Sequence, residues 1–238
     1  KRRLRREKYQ HPYLVNTKLV VFDMAGTTVD EKNVVYQTVR RAINDSGYHF
    51  SQEQVQAAGA GKEKSQAIRD VLALDGAEHS DQEISTIFAH FKIMLAKAYE
   101  ELDVQPQPGT LEVFKALRAA NAKVALNTGY DRQTAEKLID KLGWRIGDDF
   151  DVLVTASDVS NGRPHADMIQ LAMSKVGVAD PQLVAKIGDS VIDIEEGKNA
   201  SCGFTFGITT GAQTRAQLLA AEPSSIVDSL AEMLALLN

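Results

Sequence analysis

The sequence predicts an α/β fold, a doubly wound parallel sheet with an inserted α-helical cap domain. Short apolar runs end one after another in a polar residue or glycine, and helical patterns separate most of them. One long stretch near the start of the chain is helical throughout and holds no convincing strand. Apolar strands alternating with helices indicate a parallel sheet covered on both faces.

The elements follow in order. The first strand is "KLVVFD" (18–23), a continuous apolar run that suits a strand buried on both sides. Helical periodicity then covers 33–46, 51–58, 62–74 and 81–101. An insert placed directly after the first strand hangs over the carboxyl edge of the sheet, so it reads as a cap. "DVQPQPG" (103–109) reads as the return linker, because prolines close to a glycine break regular structure. Four more strands follow at 123–129, 151–158, 183–189 and 203–209. The helices among them fall at 110–120, 131–142, 165–177, 191–199 and 212–221. The expected organisation is a core of 17–30 and 105–238, a cap of 31–104 and a basic tail of 1–16.

Composition narrows the function classes. The 238 residues are 44% hydrophobic and 25% charged, as in ordinary globular proteins. The one cysteine, Cys202, excludes an internal disulfide and fits a reducing, cytoplasmic compartment. No apolar run approaches the roughly 18 residues of a membrane helix. The net charge is −5, but the opening "KRRLRREK" is strongly basic. The rest of the chain therefore carries about −10, which argues against a nucleic-acid surface on its body. The tail itself reads as a solvated terminus.

Ligands of open α/β sheets bind beyond the carboxyl ends of the strands. Asp23, Thr128 and Asp189 stand at such ends, Arg163 follows the third long strand in "SNGRPHAD", and Asp193 lies in "KIGDSVID". Carboxylates, a hydroxyl and a cation thus converge on one edge. Each alone has an ordinary explanation as a turn former, cap or solvated charge. Gly26 lets the chain turn tightly after Asp23, and backbone N–H groups in such a turn can face an anion.

"FDMAGTTVD", "LNTG", "GRPHAD" and "GDSVID" occur together and in this order. With them the chain resembles the haloacid dehalogenase (HAD) superfamily of hydrolases over residues 17–238. The resemblance implies a HAD-like Rossmannoid core, Asp23 as nucleophile and an aspartyl-phosphate intermediate. It implies Mg²⁺ held by Asp23, Asp189 and the Ala25 carbonyl, with Asp193 supporting that shell from behind. Thr128 and Arg163 would bind phosphoryl oxygens, with Gly26, Thr27, Gly129 and Tyr130 lining the substrate.

HAD phosphatases carry an acid two residues after the nucleophile, which protonates the leaving group. Here that residue is Ala25. In "GAGKEKSQAIRDVL" (59–72), Lys64 shares a helix face with Ile68, Val71 and Leu72, while Lys62 points the other way. Partial burial and the first-turn helix dipole both disfavour its charge, and a neutral amine can attack a carbonyl. From spacing alone, a lysine snorkelling to water fits equally well. Alanine after the nucleophile, a cap lysine and arginine at 163 are similar to one branch, phosphonoacetaldehyde hydrolase or phosphonatase. That resemblance implies a Schiff base on Lys64. Three positions depart from it, with Ala67 in place of a histidine, Ala60 in place of a methionine and Met24 in place of a tryptophan.

The expected substrate is a small phosphonate or phosphate, with no nucleic acid and no membrane as partner. The alanine- and leucine-bearing cap helices (33–46, 81–101) allow a homodimer through the cap, and packing within the chain explains them equally. A phosphatase of a small phosphate ester is the second reading. A catalytically silent HAD-fold binding protein is the third. A receiver domain would also gather aspartate, threonine and a cation, but such domains are much shorter and lack a cap.

Overall fold

The computed structural model describes residues 17–237, so the basic tail lies outside the described residues. From strand β1 (Leu19–Asp23) the chain enters the short β2 (Val29–Asp30) and then four helices. These are α1 (Val34–Asn44), α2 (Gln52–Gly59), α3 (Lys64–Leu72) and α4 (Asp81–Glu101). It returns through β3 (Gln105–Pro106) and α5 (Thr110–Ala119) to β4 (Lys123–Thr128), α6 (Arg132–Leu142) and β5 (Val152–Thr155). Then come α7 (Asp167–Val176), β6 (Val184–Gly188), α8 (Val191–Asn199) and β7 (Phe204–Ile208). The chain closes with α9 (Arg215–Leu219), β8 (Ser225–Val227) and α10 (Leu230–Leu237).

Six strands form one sheet in the order β5-β4-β1-β6-β7-β8, and every pairing is parallel. β1 lies between β4 and β6, with Phe22 opposite both Leu126 and Ile187. Strand order reverses direction at β1, and that reversal opens a crevice at the carboxyl ends. Alternate side chains of β1 feed two cores. Val20 and Phe22 face Phe114, Leu126 and Ile187, whereas Leu19 and Val21 face Met168, Ile169 and Ala172. This two-sided burial explains why β1 reads as an unbroken apolar run.

Local signals start the helices that shape the site. Ser51 and Gln54 form a reciprocal capping box on α2, and Ser80 caps α4. Asp131 accepts from the Thr134 N–H at 2.8 Å and starts α6 just beyond the β4 edge. The helices α1 to α4 pack on one another, turning Val39, Ile43, Ile68, Val71, Ile87 and Phe91 inward.

Several expectations need correction. The stretch 103–109 is more than a linker, because β3 pairs antiparallel with β2, Val29 opposite Pro106. That ribbon ties the two ends of the helical insert together. β8 and α10 were not legible, since β8 has only three residues and α10 is apolar over most of its length. The helix expected over 212–221 shortens to α9, started by the Thr214–Gln217 capping box. Among the described residues, no helix is long and apolar enough to cross a membrane.

Candidate active site

Strand ends and the loops beyond them place the charged groups. Asp23 closes β1, Asp189 follows β6, Asp193 lies in the first turn of α8, and Arg163 sits in the loop between β5 and α7. All four are buried. Arg163 Nη1 donates to Asp23 Oδ1 at 2.9 Å and lies 3.2 Å from Asp193 Oδ1. Its Nε donates to Glu196 Oε2 at 2.9 Å, and its Nη2 donates to the Asn127 carbonyl at 3.0 Å and side-chain oxygen at 2.8 Å. A guanidinium fixed on this many acceptors is a preorganised charge beside the Asp23 carboxylate.

Three members of this cluster escaped the sequence reading: Asn127, Lys186 and Glu196. Lys186 Nζ lies 2.9 Å from Asp193 Oδ1, 3.3 Å from Glu196 Oε2 and 2.7 Å from Asn127 Oδ1. Lys186 and Glu196 are fully buried. The signal was present, since a lysine inside the apolar run "LVAKIG" must be paired if that run is a central strand.

Asp23, Asp189 and Asp193 bring one carboxylate oxygen each within 4.8 Å of the others, so the three could hold a metal ion. Burial, then the Asp193 charge, raises the pKa of Asp23 against the pull of Arg163 and Lys186. Burial, then Asp23, pushes Asp189 well up. Asp193 is lowered despite its burial, because Arg163 and Lys186 outweigh the desolvation. Its Oδ1 is held by those two cations and its Oδ2 by the Ser190 hydroxyl, which leaves Asp23 and Asp189 as the freer ligands. Repulsion between two buried carboxylates is what a divalent cation relieves. The space for Asp189 is set by glycines. A Cβ on Gly26 would stand 2.3 Å from Asp189 Oδ2, and one on Gly211 would stand 1.9 Å from it. Gly26 also needs its φ of 83°. Ala25 lines the same cavity as Gly26 and Asp189.

The turn differs from expectation in one respect. The Gly26 N–H donates to Val29 O at 2.8 Å and the Thr27 N–H to Met24 O at 3.1 Å. Closing a turn this tight uses both donors, so neither faces an anion. Thr27 is fully buried, and its hydroxyl has no hydrogen-bond partner among the described residues. Thr128 is buried at the end of β4, where its hydroxyl accepts from the Tyr130 N–H at 3.2 Å.

The loop before α3 docks on this edge. A Cβ on Gly129 would come within 2.7 Å of the Lys62 carbonyl oxygen, so only glycine permits the approach. The Gly61 carbonyl accepts from Arg163 Nη1 at 3.1 Å, and the Gly61 N–H donates to the Tyr36 hydroxyl at 2.8 Å. Lys64 opens α3 behind its cap Glu63, whose carboxylate accepts from the Gln66 N–H at 3.0 Å. Lys64 is 6% exposed, so it does not snorkel. Its Nζ donates to the Lys62 carbonyl at 2.6 Å and lies 5.4 Å and 5.3 Å from the ring centroids of Tyr36 and Tyr130. Lys62 lies in the loop before α3 rather than on the helix expected from 62, and it turns away to pair with Asp70. Burial lowers the Lys64 pKa to about 8, against the opposing pull of Asp23. About a tenth of the amine is then neutral at pH 7.

Ala67 is fully buried, and a Cβ on Gly59 would lie 3.2 Å from its own Cβ. Helix packing fills the place where the resemblance expects a histidine. Beyond Tyr130, its hydroxyl meets that of Tyr99 at 2.7 Å, and Tyr99 donates to Glu31 Oε2 at 3.4 Å. Glu31, Tyr36 and Tyr99 were missed because tyrosines on apolar helix faces read as core, and an acid just after β2 reads as a helix start.

Residues 17–201 match the haloacid dehalogenase-like hydrolase family, and the chain belongs to it. It is a HAD-superfamily hydrolase with a HAD-like Rossmann core. It is 30% identical over 210 residues to a phosphonoacetaldehyde hydrolase of Lactiplantibacillus plantarum, with 82% of this chain and 77% of that protein covered. It is 31% identical over 198 residues to a bifunctional phosphonoacetaldehyde hydrolase/aminoethylphosphonate transaminase of Clostridioides difficile. That match covers 77% of this chain and 30% of the larger protein. It is also 29% identical over 222 residues to a probable phosphatase, IndB, of Dickeya dadantii, covering 90% and 91%. The structure of a phosphonoacetaldehyde hydrolase-like protein from Oleispira antarctica superposes with a TM-score of 0.80 at 22% identity, covering 93% of this chain and 91% of that one.

Proposed function

We propose that the protein is a Mg²⁺-dependent hydrolase of the phosphonatase type, which breaks a phosphonate C–P bond with Asp23 as nucleophile and Lys64 as the imine-forming amine. The observation that carries this reading is the place of Lys64. Its amine is buried between two tyrosine rings, beside a loop whose Gly61 carbonyl is hydrogen-bonded to the same Arg163 that holds Asp23. Asp23, Asp189 and the Ala25 carbonyl would hold the metal ion, with Asp193 locked behind them. Bound there, Mg²⁺ would screen the negative charge that the nucleophile and the phosphoryl group share.

The remaining chemistry falls to the chain. Neutral Lys64 condenses with the aldehyde of phosphonoacetaldehyde and releases water. An Asp23 oxygen then attacks phosphorus. The electron pair of the breaking C–P bond enters the iminium as an enamine, so no free carbanion forms. The enamine takes a proton at carbon, and water releases acetaldehyde from Lys64. A second water hydrolyses the aspartyl-phosphate. Arg163 and Thr128 would hold the phosphoryl oxygens throughout. Ala25 fits this route, because the departing group is an enamine carbon rather than an alkoxide needing a proton at that point.

Phosphate release from phosphonoacetaldehyde tests the reading. Wild type should turn over, while Lys64→Arg and Asp23→Asn should each fall by at least a thousandfold. The second reading, hydrolysis of a small phosphate ester, draws on Ala67 and on the likeness to IndB. Turnover of such an ester that survives Lys64→Ala and is lost in Asp23→Asn favours it over the first. The homodimer through α1 and α4 stays a proposal, and a species of monomer mass at micromolar concentration in sedimentation contradicts it.

A further inference from the structure

We propose that Glu31, acting through Tyr99 and Tyr130, is the proton relay of Lys64: it takes the proton that the amine must lose before it attacks the carbonyl and returns it when water leaves. This rests on the imine reading above and supplies the acid–base group that Ala67 does not.

Glu31 is 4% exposed and lies immediately after β2, where the chain enters the helical layer. It is not a salt-bridge partner of any described cation within 4 Å. Its Oε2 accepts from the Val35 N–H at 2.9 Å and from the Tyr99 hydroxyl at 3.4 Å. Tyr99 and Tyr130 share a hydrogen bond of 2.7 Å, and the ring of Tyr130 is one wall of the Lys64 amine. Glu31 also lines a cavity with Ala25, Gly26, Tyr36 and Asp189. A buried carboxylate and two buried hydroxyls are thus hydrogen-bonded in series, ending at the tyrosine whose ring lies against the buried Lys64 amine. At the start of α1 the carboxylate serves the helix by accepting from the Val35 N–H, but burying it without a cation disfavours its charge.

The titration of the two groups agrees. Burial raises the Glu31 pKa to about 7, against its hydrogen bonds to Val35 and Tyr99 and the nearby Lys64 charge. Burial lowers Lys64 to about 8. The other charged groups acting on Lys64 are Asp23 from β1, Arg163 from the loop after β5, Glu63 from its own helix and Asp189 from the loop after β6. Burial thus brings both groups toward neutrality from opposite sides.

The steps balance. Lys64–NH₃⁺ and Glu31–COO⁻ become Lys64–NH₂ and Glu31–COOH. The amine adds to the aldehyde carbon to give a neutral carbinolamine. Glu31–COOH then protonates the hydroxyl, the C–O bond breaks, and iminium, water and Glu31–COO⁻ result. Glu31 acts through tyrosines rather than on the substrate, so it is a positioning and relay residue.

The test is the rate of borohydride trapping with phosphonoacetaldehyde across pH 5.5–9.5, for wild type, Glu31→Gln, Tyr99→Phe and Lys64→Arg. The relay predicts a wild-type bell with its maximum between about pH 7 and 8, where the Lys64–Glu31 pair shares one proton. Glu31→Gln and Tyr99→Phe should each trap at least tenfold more slowly at pH 7. Both should lose the falling limb and rise only with the deprotonation of Lys64. Trapping in Glu31→Gln that keeps the wild-type rate and bell overturns the relay and leaves the imine reading standing. A uniform loss at every pH, with the bell retained, shows a structural role and also overturns it. Wild type that is trapped no faster than Lys64→Arg overturns the imine reading and the relay together.

Discussion

The two halves of the site are built from opposite materials. On the core side, Asp23, Arg163, Asp193, Lys186, Glu196 and Asn127 form a buried lattice in which nearly every charge has a counter-charge. On the helical side, Lys64 has two tyrosine rings, one backbone carbonyl and no carboxylate within ion-pairing distance. The lattice fixes its groups in place by ion pairs, and its cations lower the Asp193 pKa against burial. The aromatic side does the reverse, lowering the Lys64 pKa and raising that of Glu31 until both titrate near neutrality. A phosphoryl group needs fixed charge, whereas imine chemistry needs an amine that can be neutral.

The largest test of this contrast strikes the lattice. Lys186→Met leaves Asp193 and Glu196 short of a cation in a fully buried place, and removing one partner of such a network costs about 3–5 kcal/mol. Chemical denaturation should show that loss, and a change under 1 kcal/mol would mean that Arg163 alone holds both acids.

A smaller effect comes from the aromatic side and has a defined sign. Glu31 has its pKa raised from 4.5 to about 7 on folding, so the folded state binds more protons between those values. Its contribution is fully present below about pH 4.5 and declines as pH rises to about 7, by up to about 3 kcal/mol. Stability measured at pH 5 and pH 8 should therefore fall more in wild type than in Glu31→Gln. Equal falls would mean that Glu31 titrates as an ordinary surface acid.

The smallest effect concerns one hydroxyl. Tyr36→Phe keeps the ring beside Lys64 and removes the acceptor of the Gly61 N–H. It should cost about 1 kcal/mol and loosen the docked loop, with a larger rise in KM than fall in kcat. An unchanged KM would show that the loop is held by Arg163 and Gly129 alone.

Much of this architecture is legible in the residues. β1, β4, β6 and β7 announce themselves because they are buried on both faces, and strand ends locate Asp23, Thr128 and Asp189. The apolar face of α3 identifies Lys64 as an inward residue, although the helix starts at Lys64 rather than at 62, so Lys62 turns away within the loop before it. What escapes is pairing between elements distant in sequence. Nothing local says that Lys186 meets Glu196 and Asn127, or that Tyr99 from α4 meets Tyr130 beyond β4. The β2–β3 ribbon is hidden for the same reason, since two-residue strands have no periodicity to read.

The central claim is that the amine of Lys64 forms an imine with an aldehyde substrate, and one measurement tests it most directly. The protein is reduced with borohydride in the presence of phosphonoacetaldehyde, digested, and its peptides are mapped by mass. The account predicts a two-carbon reduced adduct on the peptide carrying Lys64, absent when the aldehyde is omitted. Adducts spread over surface lysines with Lys64 unmodified would contradict it.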